Sequence, residues 1–342
     1  MRITATVFSG EKVSTCFDAY FKNIDDFHNA DKILILTDVN IFKLHKPKFE
    51  GYQVIVVDGT EKHKTQSTVD NIIVQMLEMN IDKTWLFVGV GGGVITDLAG
   101  YVASIYKRGI KLGLVPTSIL GMTDAAIGGK NGVNVGMYKN MVGTTYRPLF
   151  ILYDFTFLDT LPSSEWINGF AEIIKHACIK DAAMFDELEK RDIDFYINNR
   201  SEAIAMVEKN VALKTAVVLA DEFEKADRFQ LNFGHTFGHA IENLYNLPHG
   251  HAVSVGILMA AKISEEINNF DSVSVERLKK LLQQYKLTIS QEINKEEVLA
   301  LLSKDKKRAG DAINFVLLKS IGEASVQQLS FKTIQSLLDQ TL

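Results

Sequence analysis

Four of the chain's eight histidines fall between His235 and His251 and carry its strongest chemical signal. In NFGHTFGH, His235 and His239 stand four apart, a spacing that turns both imidazoles to one side of a helix, as in many metal sites. The glutamate of an H-E-x-x-H protease is missing, since Thr236 follows His235, and PHGH then adds His249 and His251. A metal site is expected, with His235 and His239 both candidate ligands on spacing alone. In AEIIKH, Glu172 and Lys175 are three apart and share a helix face, either as a reactive pair or as a surface ion pair.

The second signal is phosphate chemistry. VGVGGGV follows a β-like run and opens a helix-like one, where glycines let the backbone approach a phosphate beside a helix N-terminus. Val94 stands where G-x-G-x-x-G needs its last glycine, so the dinucleotide fingerprint is partial; Asp97 follows within the first helical turns. IGGKN is not a P-loop, because Asp124 replaces the first required glycine and Asn131 the Ser or Thr after Lys130. Lys130, Lys139, Asn140 and Arg108 nonetheless sit in glycine-rich loops and suit an anion pocket. Lys214, Asp221, Glu222, Glu224 and Arg228 read locally as an ordinary charged, solvated stretch.

These residues need elements to hold them. Up to about residue 160, β-rich runs at 32–37, 52–58, 85–90 and 110–115 alternate with helical spacing such as 68–80. That alternation predicts βαβ units in a mostly parallel sheet. Beyond it, 163–181, 199–220, 236–247 and 252–268 read as helices, with a lone strand at 312–319. Two domains are expected, 1–160 and 161–342.

Composition reads as an ordinary soluble globular protein, and its length favours two domains: 342 residues, 46% apolar and 23% charged. A net charge of −5 makes the chain a poor general nucleic-acid binder. Two cysteines, Cys16 and Cys178, make no disulfide scaffold and suit a reducing compartment. The chain shows no signal core and no apolar run long enough for a membrane helix, so a cytoplasmic location is expected.

Together the strings GGGVITDLAGYVAS, YKRG, VPTS, IGGKNGVN, KNMVGT, AEIIKH, LNFGHTFGHAIE, HG and DKK resemble, in order and spacing from about 37 to 322, the 3-dehydroquinate synthase family of sugar-phosphate cyclases. That family is related to iron-dependent alcohol and glycerol dehydrogenases. The resemblance implies an α/β N-terminal domain with a Rossmann-like, mostly parallel sheet and an all-α C-terminal domain. It implies NAD, contacted by Asp38, Asn40, Glu61 and Lys64, cradled at its pyrophosphate by Gly92, Gly93 and Val94, with Asp97 near the nicotinamide ribose. Thr117, Ser118, Phe157 and Thr160 would add cofactor contacts. Zinc, or cobalt, would be held by Glu172, His235 and His249, which leaves His239 as a substrate or proton-transfer neighbour.

Lys130, Lys175, Glu224, Asn232 and His239 would form the catalytic set. Arg108, Asp124, Lys139, Asn140, Lys214, Arg228 and Lys306 would bind substrate, with Arg108 and Lys139 on its phosphate. Arg108 would reach in from a neighbouring subunit, which implies a homodimer. The implied reaction turns 3-deoxy-D-arabino-heptulosonate 7-phosphate into 3-dehydroquinate and phosphate, a lyase step of the shikimate pathway. It proceeds by transient oxidation, phosphate elimination, re-reduction and an intramolecular aldol. Another cyclase or a metal-dependent polyol dehydrogenase is the alternative. Thr96, Arg147, Ser164 and His251 depart from the family pattern, and His251 is the rival of His249 as ligand.

Overall fold

The computed structural model describes residues 1–136, 138–302, 308–309 and 312–341. Lys306, expected at the substrate, lies outside the described residues. The chain divides into two compact units, Met1–Pro162 and Ser163–Leu342.

The first unit is a seven-stranded sheet. An antiparallel hairpin, β1 (Arg2–Phe8) and β2 (Glu11–Phe17), precedes β3 (Ile33–Asp38), α1 (Val39–Leu44), β4 (Gln53–Val57), α2 (Gln66–Glu78), β5 (Leu86–Gly91), α3 (Gly93–Ile105) and β6 (Lys111–Pro116). A small hairpin of β7 (Lys130–Val135) and β8 (Tyr138–Thr145) comes before β9 (Phe150–Leu152). The order is β1-β2-β9-β6-β5-β3-β4, parallel from β2 to β4. Every residue of β3 and β5 is buried, which is why these strands are almost continuously apolar. Ile33, Ile35, Val88, Val90, Val115 and Phe150 share one core cluster. The predicted alternation is recovered; the β1–β2 hairpin and β9 are additions.

The second unit is mainly helical: α4 (Ser163–Lys180), α5 (Ala182–Leu188), α6 (Ile193–Asn198), α7 (Arg200–Ala220), α8 (His235–Tyr245), α9 (His249–Asn268), α10 (Ser272–Gln284), α11 (Lys295–Leu302) and α12 (Phe331–Thr341). It also holds an antiparallel sheet of β10 (Arg308–Ala309), β11 (Ala312–Ser320) and β12 (Glu323–Ser330). The strand expected at 312–319 is therefore not alone. Alternate residues Ile313, Phe315 and Leu317 of β11 join Phe237 and Ile241 of α8 and Val255 and Met259 of α9 in a buried cluster. Among the described residues no helix is long and apolar enough to cross a membrane.

Candidate active site

In the first unit, β4 and β5 flank β3 on opposite sides, so the strand order reverses between β3 and β5. Open parallel sheets bind ligands beyond the carboxyl ends of strands at such a point. Thr37 pairs with Val90, which sets Asp38 beside Gly91, and Gly91 pairs with Pro116, just before Thr117 and Ser118. Gly92 caps α3 without a side-chain hydrogen bond, which leaves the first helical N–H groups for an anion. A Cβ on Gly92 would come 3.3 Å from Ser118 Oγ, and one on Gly93 3.3 Å from Ala125, so the cradle admits only glycine without displacement. Thr96 turns its hydroxyl to the carbonyl oxygen of Gly93 in the same first turn.

Asp38 caps α1 by accepting from the N–H groups of Asn40 (2.8 Å) and Ile41 (3.1 Å). Burial raises its pKa despite those two donors. Asn40 is exposed. Thr117 N–H donates to the Gly91 carbonyl (3.0 Å), and Ser118 Oγ accepts from Gly121 N–H (3.1 Å). Phe157 is a core residue, edge-on to His45 with ring centroids 4.7 Å apart, and Thr160 Oγ1 is hydrogen-bonded to His45 Nε2 (2.7 Å).

Lys64, nearly fully buried, is ion-paired with Asp97 and donates to Asn140 Oδ1 (2.7 Å). Glu61 accepts from Asn134 Nδ2 (2.8 Å) and lies 3.9 Å from Lys139 Nζ. Glu61, Lys64, Asp97, Lys139 and Asn140 are thus gathered into one network. Asp124, Lys130 and Arg108 belong to three separate stretches: the turn Gly121–Ala125, the start of β7, and the turn after α3. Arg108 is exposed and left-handed (φ 65°), between Lys107 (φ 47°) and Gly109 (φ 109°).

In the second unit, α8 and α9 approach closely through glycines. A Cβ on Gly256 would lie 2.0 Å from the Gly234 carbonyl oxygen, and one on Gly238 3.1 Å from Val253 Cα. The glycines of NFGHTFGH therefore serve helix contact and a left-handed helix start at Gly234 (φ 75°). The start of α9 is pinned to α4, because the Asn168 side chain accepts from Gly250 N–H.

The result brings Glu172 (α4), His235 (α8) and His249 (α9) together, with donor atoms all within 4.8 Å of one another. Glu172 Oε1 lies 3.4 Å from His235 Nε2 and 3.5 Å from His249 Nε2. Donor atoms about 2.0–2.1 Å from a tetrahedral zinc are about 3.4 Å apart, so the spacing fits that ion. The Phe233 carbonyl can only accept, so His235 Nδ1 carries the proton (3.1 Å) and Nε2 keeps its lone pair. His249 Nδ1 faces Glu242 Oε2 (3.2 Å), which orients this ring the same way. Burial opposes the charged imidazole of His249, but without an ion Glu172 and Glu242 outweigh it and lift the pKa to about 10, so a metal on Nε2 would have to displace a proton there.

Glu172 and Lys175 are wholly buried and paired through Glu172 Oε2, so the surface-ion-pair reading fails. The other carboxylate oxygen faces the imidazoles. His239 stands beside the group, its ring 5.1 Å from that of His235 and 6.3 Å from that of His249. His251 Nδ1 instead accepts from Thr288 N–H (3.3 Å) and lies 2.9 Å from its hydroxyl. Among the described residues, His249 and not His251 groups with Glu172 and His235. His176, next to Lys175, is held by Asn210 Oδ1 (3.0 Å).

The stretch 221–228 is not a loose charged end. Asp221 accepts from the N–H groups of Lys225, Ala226 and Arg228, and Arg228 is buried with Nη1 on the Glu222 carbonyl (2.6 Å). Asn232 donates to Glu224 Oε1 (2.8 Å), and Lys214 is buried on α7. Asp221, Glu242 and Asn168 are organising residues that the motif reading left without a role. Glu242 follows His235 by seven and His239 by three, so helical spacing marks it for the same face.

The chain is similar to known proteins of one family along most of its length. Models of the 3-dehydroquinate synthase N-terminal and C-terminal domains match residues 54–168 and 169–308. A 3-dehydroquinate synthase of Campylobacter jejuni subsp. doylei is 36% identical over 324 residues, covering 91% of this chain and 92% of the relative. One from Saccharolobus solfataricus is 38% identical over 308 residues, covering 88% and 87%. The crystal structure of a 2-epi-5-epi-valiolone synthase from Streptomyces hygroscopicus, with NAD+ and Zn2+ bound, superposes with a TM-score of 0.87 at 26% identity, covering 99% of both chains.

Proposed function

The chain belongs to the 3-dehydroquinate synthase family, and from that premise we propose that it converts 3-deoxy-D-arabino-heptulosonate 7-phosphate to 3-dehydroquinate and inorganic phosphate. By class this is a carbon–oxygen lyase acting in the cytoplasm, in the shikimate pathway. The observation that carries the reading is the convergence of Glu172 Oε1 with Nε2 of His235 and His249 at the spacing a tetrahedral ion needs.

Three protein donors leave a tetrahedral ion one open position, as catalytic sites do. When bound, zinc would polarise a substrate hydroxyl and NAD would take and return the hydride of that carbon. Cobalt suits the same nitrogen and oxygen donors. The cofactor would lie across the carboxyl ends of β3 and β5, against Asp38, the Gly92–Gly93 cradle and the Lys64–Asp97 pair.

The protein's own work is charge placement. Lys175 pairs with the buried Glu172 and balances its charge. Lys214, Arg228 and Asn232 would hold the substrate carboxylate, a role supported for Arg228 by the Asp221 loop that accepts from its backbone N–H. Lys130, Lys139, Asn140 and Arg108 would hold the phosphate and favour its departure, with His239 moving protons beside the substrate. Glu224 would orient Asn232. We assign Arg108, on its exposed left-handed turn, to the active site of a second copy in a homodimer.

Phosphate release by the purified protein with heptulosonate phosphate, NAD and zinc tests the reading, with no net NADH. Turnover of sedoheptulose 7-phosphate alone would instead make it a valiolone-type cyclase, and steady NADH accumulation on a polyol would make it a dehydrogenase.

A further inference from the structure

Asn134 carries no role in the reading above, yet it is the joint of the Glu61–Lys64–Asp97–Asn140 network. Strand pairing between β7 and β8 shifts between Val133 and Val135, so Asn134 sits at an irregularity, outside the residue-by-residue register with β8. Its backbone instead bridges Thr65, with its N–H on the Lys64 carbonyl oxygen (2.8 Å). Its side chain works in both directions. Nδ2 donates to Glu61 Oε1 (2.8 Å), and Oδ1 accepts from the backbone N–H of Asn140 (3.1 Å).

Asn140 is left-handed (φ 54°), a conformation that Asn tolerates better than other side chains. Two bonds hold it: Asn134 on its N–H, and Lys64 Nζ on its side-chain oxygen. Lys64 is in turn paired with Asp97 on α3. The segment 61–65 is therefore fastened to α3 through Lys64 and to the hairpin through Asn134.

We propose that Asn134 is a positioning residue that couples occupation of the cofactor site to the presentation of Lys139 and Asn140 to the substrate phosphate. This rests on the reading of Glu61, Lys64 and Asp97 as cofactor residues and of Lys139 and Asn140 as phosphate residues. NAD on the first set stiffens the segment 61–65, and Asn134 transmits that order to residue 140 and its neighbours. Asn134 touches no reacting atom, so its removal acts on substrate affinity more than on the chemical step.

The test compares wild type, Asn134→Ala and Asn134→Asp, each confirmed folded by its melting transition. Asn134→Asp keeps the acceptor for Asn140 N–H but sets a carboxylate against Glu61, and it stands in should the alanine variant fail to fold. For Asn134→Ala, KM for heptulosonate phosphate is expected to rise about tenfold, the scale of one or two lost net hydrogen bonds, with kcat changed less than about threefold. Amide hydrogen exchange supplies a readout without turnover. NAD+ alone should slow exchange at 138–141 in wild type, and this protection should be lost in both variants while calorimetric NAD+ affinity changes less than about fivefold.

Wild-type KM with wild-type protection in the variants overturns the proposal. So does a wild-type protein that binds NAD+ yet exchanges identically with and without it, and that result leaves the cofactor reading standing. Absence of NAD+ binding to wild type overturns both.

Discussion

Glu242 is the most informative residue to perturb, because it faces His249 without being one of the three donors that converge. Its carboxylate is buried, and Oε2 lies 3.2 Å from His249 Nδ1, while Nε2 of the same ring lies 3.5 Å from Glu172 Oε1. Glu242→Ala removes the partner that fixes both ring orientation and tautomer, yet leaves all three donors in place. Losing such a partner lowers metal affinity about 10–100-fold. That is about 1.4–2.7 kcal/mol of binding free energy. Glu242→Gln keeps an acceptor for Nδ1–H without the charge and should lose less, under about tenfold. The assay is competition for zinc against a chromophoric chelator at fixed pH, followed by phosphate release at saturating zinc. Activity of Glu242→Ala should recover substantially once zinc is in excess, whereas His235→Ala should retain no zinc. Unchanged zinc affinity in Glu242→Ala would refute the assignment of His249 as a ligand oriented by Glu242.

Three further outcomes follow from the same geometry. Gly256→Ala places a Cβ 2.0 Å from the Gly234 carbonyl oxygen, so α8 and α9 must part; thermal unfolding should show a loss of at least about 1–3 kcal/mol together with weaker zinc retention. Burial raises the Asp221 pKa, but three backbone N–H groups outweigh it and hold the carboxyl below its usual range. The contribution of Asp221 is thus complete above about pH 4 and fades as pH falls through the lowered folded-state value. Substrate KM in Asp221→Asn should then exceed wild type throughout pH 5–9, with unfolding measured in parallel. Mixing inactive Arg108→Ala with inactive Lys175→Ala should restore up to about a quarter of wild-type activity if hybrid dimers form at random and each arginine serves its neighbour; no recovery after verified subunit exchange would place Arg108 in its own subunit's site.

Much of the fold was legible because the signal is local. Helical spacing at 68–80 and 199–220 and apolar runs at 32–37 and 85–90 need no distant partner to be read, and they reappear as α2, α7, β3 and β5. The β1–β2 hairpin was not legible, since its outer strand is largely exposed and carries no clean apolar face. β12 escaped for a related reason, its burial being broken along the strand and its pairing with β11 a tertiary matter.

The active site divides along the same line. Composition and spacing alone pointed to a histidine-based metal site and a glycine-built phosphate cradle. The ligand set was beyond local reach, because His235 and His239 look equivalent at four-residue spacing while Glu172 is far away in the chain. Packing brings the candidate donors together: Gly234, Gly238 and Gly256 let α8 and α9 touch, Asn168 pins the start of α9 to α4, and His249 rather than His239 meets Glu172. His251, two residues on, turns to Thr288 instead. Residue types set what chemistry is available. Which donors share a single ion depends on how helices close on one another, and only the folded chain specifies that.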